Sequence, residues 1–134
     1  MTRWLPVYLV ALVTCAALDF LWLGVVANGF YQRQMGHLMR PDVQYGPAAL
    51  FYLLYVAALL TFVVAPAAHR GSATRAWALG AFFGLTAYAA YDLTSLAVMR
   101  DFPVVAGVVD MAWGATVSAV VCRVGYAVAR RGAT

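Results

Sequence analysis

Residues 88–114 read YAAYDLTSLAVMRDFPVVAGVVDMAWG. Two apolar runs flank one short polar link, Arg100-Asp101, closed by Phe102 and Pro103. That is the pattern of two membrane-spanning helices joined by a tight turn. One aspartate sits inside each run, Asp92 in the first and Asp110 in the second. A carboxylate costs roughly 2.5–3.5 kcal/mol at the centre of a spanning helix on insertion scales, so its presence there points to a function. A third, Asp19, interrupts an earlier apolar run.

The rest of the chain carries the same signature. Of its 134 residues 65% are hydrophobic and 10% charged, against about 25% charged in a soluble domain. That length holds one compact unit and no second domain. The expected architecture is all-α: a single transmembrane domain over residues 1–134, folded as an integral membrane four-helix bundle with very short loops. The net charge of +4 rests on arginine alone, with no lysine. In a membrane protein such an excess marks cytoplasmic ends rather than a nucleic-acid footprint, and no nucleic-acid partner is expected. Cys15 and Cys122 fall in apolar runs, where thiols behave as small hydrophobes; a disulfide or metal pair is the minor reading.

The first span is expected at about residues 6–27. Its start has the look of a secretory signal, and Leu12-Val13-Thr14-Cys15 of a lipoprotein cleavage box, but the apolar run continues past Asp19 to Ala27, long enough to cross. The connection from Asn28 to Gly46 mixes Arg33, His37, Arg40 and Asp42 with Phe30, Tyr31, Leu38 and Met39. It reads as a short interfacial segment between helices 1 and 2, either a lid carrying His37 or a plain amphipathic linker. The second span, about 47–66, is opened and closed by prolines. The third and fourth are expected at about 76–98 and 104–123. With four spans, Arg3, Arg70, Arg75, Arg130 and Arg131 fall on one side, and Arg33, Arg40 and Arg100 on the other. The positive-inside rule then gives an N-in/C-in topology in a bacterial inner (plasma) membrane.

Counting along the helices at 1.5 Å per residue places Asp19, Asp92 and Asp110 at one depth, roughly 10–12 Å below the outer surface. Tyr55 falls at that level in the second span. Helical spacing sets Gly84, Tyr88, Tyr91, Asp92 and Ser95 on one stripe, Cys15, Asp19 and Trp22 on another, and Asp110, Trp113 and Gly114 on a third. All three aspartates are expected to point inward and to share a pocket. Gathered carboxyls need a proton among them or a counter-charge. Arg100, one turn above, can supply that charge, as can a hard cation such as Mg, Ca or Mn. There is no HExxH and no Glu-x-x-His to specify a metal, and no cofactor is indicated. The plainer reading makes the aspartates polar glue, hydrogen-bonding Tyr, Ser or Thr between helices. Gly80 and Gly84 form a GxxxG, a mark of close helix packing within one chain or across a homodimer.

The segments at Asp19 (DFLWLG), at Tyr91 (YDLTSLA followed by Arg100, Asp101 and Pro103) and at Val109 (VDMAWG) together resemble an uncharacterised bacterial membrane family, domain-of-unknown-function two-one-seven-seven. The resemblance spans nearly the whole chain. It implies a four-helix inner-membrane protein and supplies no activity.

Three functions compete. The first is a lipid-active protein, either a lipid-modifying enzyme or a lipid-presenting accessory, with membrane lipid as the partner. Asp92 and Asp110 would be its acid–base pair, Asp19 and Arg100 orienting groups, and Trp22, Trp113, Tyr88, Tyr91, Tyr55, Ser95 and His37 the ligand-binding wall and lid. The second is a small proton-coupled transporter on the plan of small multidrug exporters, although transporter sites favour the midplane. The third is a non-catalytic assembly subunit stapled by its aspartates.

Overall fold

The computed structural model describes residues 4–22, 24, 29, 33 and 45–132. Among the described residues four helices make up the architecture. Helix α1 is Trp4–Leu21. Helix α2 begins as Tyr45–Leu59, passes through a single π-helical turn at Leu60–Val64 and ends as Ala65–Arg70. Helix α3 is Ala73–Val98 and α4 is Val104–Gly132. Of the connection expected as an interfacial lid, His37, Arg40 and Asp42 lie outside the described residues.

The sides of these helices explain their solvent. Helix α1 buries Val7, Ala11, Cys15 and Asp19, a strict i, i+4 stripe of small side chains. Its bulky residues, Leu9, Val13 and Phe20, point outward, and Phe20 is 83% exposed. A helix apolar all round has no face meant for water. The same holds for Leu53, Leu54 and Phe62 on α2 and Val104, Val105 and Val108 on α4, all exposed. Among the described residues three helical stretches are long and apolar enough to cross a membrane: Trp4–Leu21, Gly46–Arg70 and Val104–Arg131. Helix α3 has the length, at 26 residues, but not the hydropathy. Its sequence is diluted by Thr74, Arg75, Thr86, Asp92, Thr94 and Ser95, and it buries Asp92 and Ser95 against its neighbours.

Helix α2 does not stop at Pro66, where the prolines were expected to close the span. Proline at an early position of a helical turn is tolerated, but its ring clashes with the carbonyl four residues back. The chain accommodates it with the π turn, in which the Ala65 N–H bonds to Leu60 O. The helix then runs on to Arg70 and ends in a Schellman motif. Gly71 takes φ +67°, and the Ser72 and Gly71 amides donate to Ala67 O and Ala68 O. The Ser72 hydroxyl immediately caps α3 by accepting from Arg75 N at 3.1 Å. The Arg130 guanidinium reaches across from α4 to Ala68 O.

Helices α3 and α4 pack most closely. A Cβ on Gly84 would stand 2.2 Å from Gly114 O, and one on Gly80 2.9 Å from the Cys122 Cβ. The Gly80/Gly84 face, expected as an intrachain or homodimer contact, is therefore occupied within the chain. Its partner Gly114 leaves room for the Tyr88 ring, whose Cγ lies 2.3 Å from where a Cβ would be. At the hairpin Asp101 takes φ +61°, a left-handed conformation that Asp adopts more readily than most residues. Phe102 is buried beneath it, edge-on to Tyr91.

Candidate functional site: an aromatic cleft with three aspartates

The three aspartates do different things, and only Asp19 and Asp110 line a common cleft. Asp19 is 8% exposed, and both of its oxygens are engaged. Oδ1 accepts from the Trp113 indole N–H at 2.7 Å, and Oδ2 from the Tyr52 hydroxyl. One carboxylate thereby ties α1 to α2 and α4. The ring of Trp113 stacks on that of Trp22, with centroids 4.6 Å apart and planes 7° from parallel. The shared Asp-x-x-Trp spacing on α1 and α4 produces this stack: each tryptophan lies one turn beyond its aspartate.

Asp92 and Asp110 form the second group. Asp92 is 1% exposed, and its carboxyl neighbours that of Asp110. Its Oδ2 is buried with no hydrogen-bond partner among the described residues. The close approach of α3 and α4, set where Gly80 and Gly84 meet Cys122 and Gly114, is what brings the pair together.

Between the two groups lies a cleft of about 440 Å³, in the size range of small-molecule sites. Asp19 and Asp110 supply its acidic groups, Trp22, Tyr52, Tyr88 and Trp113 its aromatic walls, and Phe51 and Tyr91 its rim. Asp92 stands behind Asp110 rather than in the wall. Phe51 and Tyr91 are both exposed, so the cleft opens sideways on the outer surface of the bundle.

Several expected site residues sit elsewhere. Tyr55 is buried below the cleft, its hydroxyl 2.5 Å from Ser118 Oγ and its ring against Phe51 and Tyr88. Ser95 is buried near the hairpin, where its backbone carbonyl accepts from Met99 N; neither it nor Arg100 lines the cleft. Arg100, expected as the counter-ion, is exposed on the hairpin. His37 lies outside the described residues. Tyr52 and Phe51 are the residues that sequence reasoning passed over. Helix α2 starts at Tyr45 rather than Pro47, which brings Tyr52, and not Tyr55, level with Asp19. Among the described residues no group of three or more His, Cys, Asp or Glu side chains is placed to hold a metal ion. Cys15 and Cys122 are free and buried.

No curated protein and no solved structure matches the chain. A family model does, and the matched residues, 4–127, include every wall residue of the cleft. With its apolar helices and inward-facing aspartates, the chain belongs to the family described as predicted membrane protein (DUF2177).

Proposed function

We propose that this is a lipid-active protein of the bacterial inner membrane, with the aromatic cleft in the outer half of the bilayer and both termini in the cytoplasm. The supporting observation is the sideways mouth of the cleft between exposed Phe51 and Tyr91. Those side chains lie on a surface suited to lipid, so a ligand arriving there comes from the bilayer and not from water. A membrane lipid fits that route, with its headgroup-proximal region against Asp110.

The residues then divide the work. Neighbouring carboxyl groups in an apolar interior favour a proton on one of them, which suits Asp92 and Asp110 to hold a proton at the inner wall of an otherwise apolar cleft. One carboxyl can act as general acid and the other as base or cation stabiliser. Asp110 faces the ligand, and Asp92 acts through it. Asp19, with both oxygens occupied, orients the tryptophan wall. This serves a lipid-modifying enzyme, or an accessory that presents a lipid to one.

The test is the lipid profile of a deletion strain complemented with wild type, Asp110→Asn or Asp92→Asn. Wild type should restore the profile, and Asp110→Asn should fail at normal membrane abundance. A deletion that leaves the lipids unchanged removes the proposal. The same carboxyl pair also suits a proton-coupled transporter of the small-multidrug-exporter type. Lost proton-linked uptake in liposomes with unaltered lipids would move the assignment there.

A further inference from the structure

A second groove lies at the other end of the bundle. Trp4 and Asp19 are separated along α1 by about 22 Å at 1.5 Å per residue. Around Trp4 two cavities of about 480 and 510 Å³ share Trp4, Thr61 and Ala65, and so form one continuous groove along the α1–α2 seam. Its inner stretch is apolar, walled by Leu5, Ala57 and Leu60. The Thr61 hydroxyl is spent on Ala57 O, which leaves little polar character there. The outer stretch ends at His69 and Arg70. The groove is laid along the π turn of α2, a device that recurs at functional sites.

Charge selects the occupant. This end of the bundle presents Arg70, Arg75, Arg130 and Arg131, all exposed, whereas the described aspartates Asp19, Asp92, Asp101 and Asp110 lie toward the opposite end. An apolar channel closed by a guanidinium fits an acyl chain attached to an anionic headgroup. A zwitterionic lipid would bring its own cation against the arginines. We infer that this groove seats one anionic phospholipid, its chain between α1 and α2 and its phosphate on Arg70. The site is separate from the aspartate cleft and does not depend on what that cleft does.

Trp4 reports on the groove directly. The protein is reconstituted into phosphatidylcholine nanodiscs containing increasing mole fractions of chain-brominated phosphatidylglycerol or chain-brominated phosphatidylcholine. The Trp4 signal is the difference between wild type and Trp4→Phe. Quenching should reach half at a much lower mole fraction of the anionic lipid. Arg70→Gln should raise that mole fraction about fivefold, the worth of one arginine near a charged surface. Arg75→Gln, at the same end but outside the groove, should leave it unchanged. Equal quenching by the two brominated lipids, or an equal loss from Arg75→Gln, overturns the site in favour of bulk attraction or non-selective lipid contact.

Discussion

Asp19 shows how a costly residue becomes affordable in an apolar interior. Its two oxygens receive the Trp113 N–H and the Tyr52 O–H, so the carboxylate is satisfied and three helices are joined at one point. Hydrogen bonds inside membrane proteins average about 0.6 kcal/mol and reach about 1.7, and those to an ionised acceptor are the stronger ones. Tyr52→Phe should therefore cost about 1–1.5 kcal/mol in SDS-induced unfolding in mixed micelles. Asp19→Asn should cost less, because the amide keeps an acceptor for Trp113 and offers an N–H to the Tyr52 oxygen. A neutral Tyr52→Phe would mean that the bond is not made in the folded bundle. The importance of Asp19 was legible from its apolar surroundings alone. Its partner on α2 was not, because the choice between Tyr52 and Tyr55 depends on where the helix starts, and helix boundaries are the least certain part of any sequence reading.

Among the helices, the α3–α4 pair carries the site, and its closeness depends on glycine. Gly84→Ala would set a Cβ 2.2 Å from Gly114 O, a backbone atom that cannot swing aside. The two helices must separate, and Asp92 is drawn away from Asp110 with them. A loss of about 1–3 kcal/mol is expected for such overpacking. Gly107→Ala is the control on the same interface. There the nearest atom is Phe102 Cε1 at 3.4 Å, ordinary contact, and alanine gains up to about 1 kcal/mol of helix propensity over glycine. That variant should unfold at the same SDS fraction as wild type or a higher one. Equal losses at the two positions would show that the helices are not in contact at Gly84. The GxxxG was visible in the sequence as a packing signal, but a small-residue stripe does not say which helix it receives. The π turn before Pro66 could not be read at all. Proline reads equally well as an end or as an accommodated interruption, and only the packing of Val63, Val64, Ala67 and Ala68 in the core keeps the helix going.

The whole molecule is apolar outside as well as inside, unlike a soluble bundle. Val56, Leu59, Val64, Val117 and Val121 share its interior with Asp19 and Asp92, while leucines and phenylalanines cover much of its outside. This much was legible from composition and from the runs of apolar residues. The crossing of α3 is the expectation that rests on least, because Arg75, the threonines and Asp92 dilute its hydropathy. Asp92 and Ser95 are buried inside the bundle, however, and the exposed Thr86 spends its hydroxyl on Phe82 O of its own helix, while a spanning helix needs to be apolar only where it meets lipid. If α3 crosses, the Gly71–Ser72 link and the Arg100–Asp101 hairpin lie on opposite sides of the membrane. Single cysteines at Arg75 and Asp101, in a background with Cys15 and Cys122 changed to alanine, distinguish the cases with an impermeant maleimide. On the proposed orientation Asp101→Cys should label in intact spheroplasts, and Arg75→Cys only after permeabilisation, which is the side the positive-inside rule gives the arginine-rich end. Labelling of both from one side would mean that α3 does not cross and lies along the membrane surface. The aspartate cleft would then be open to water on a face that the four-span topology turns toward lipid.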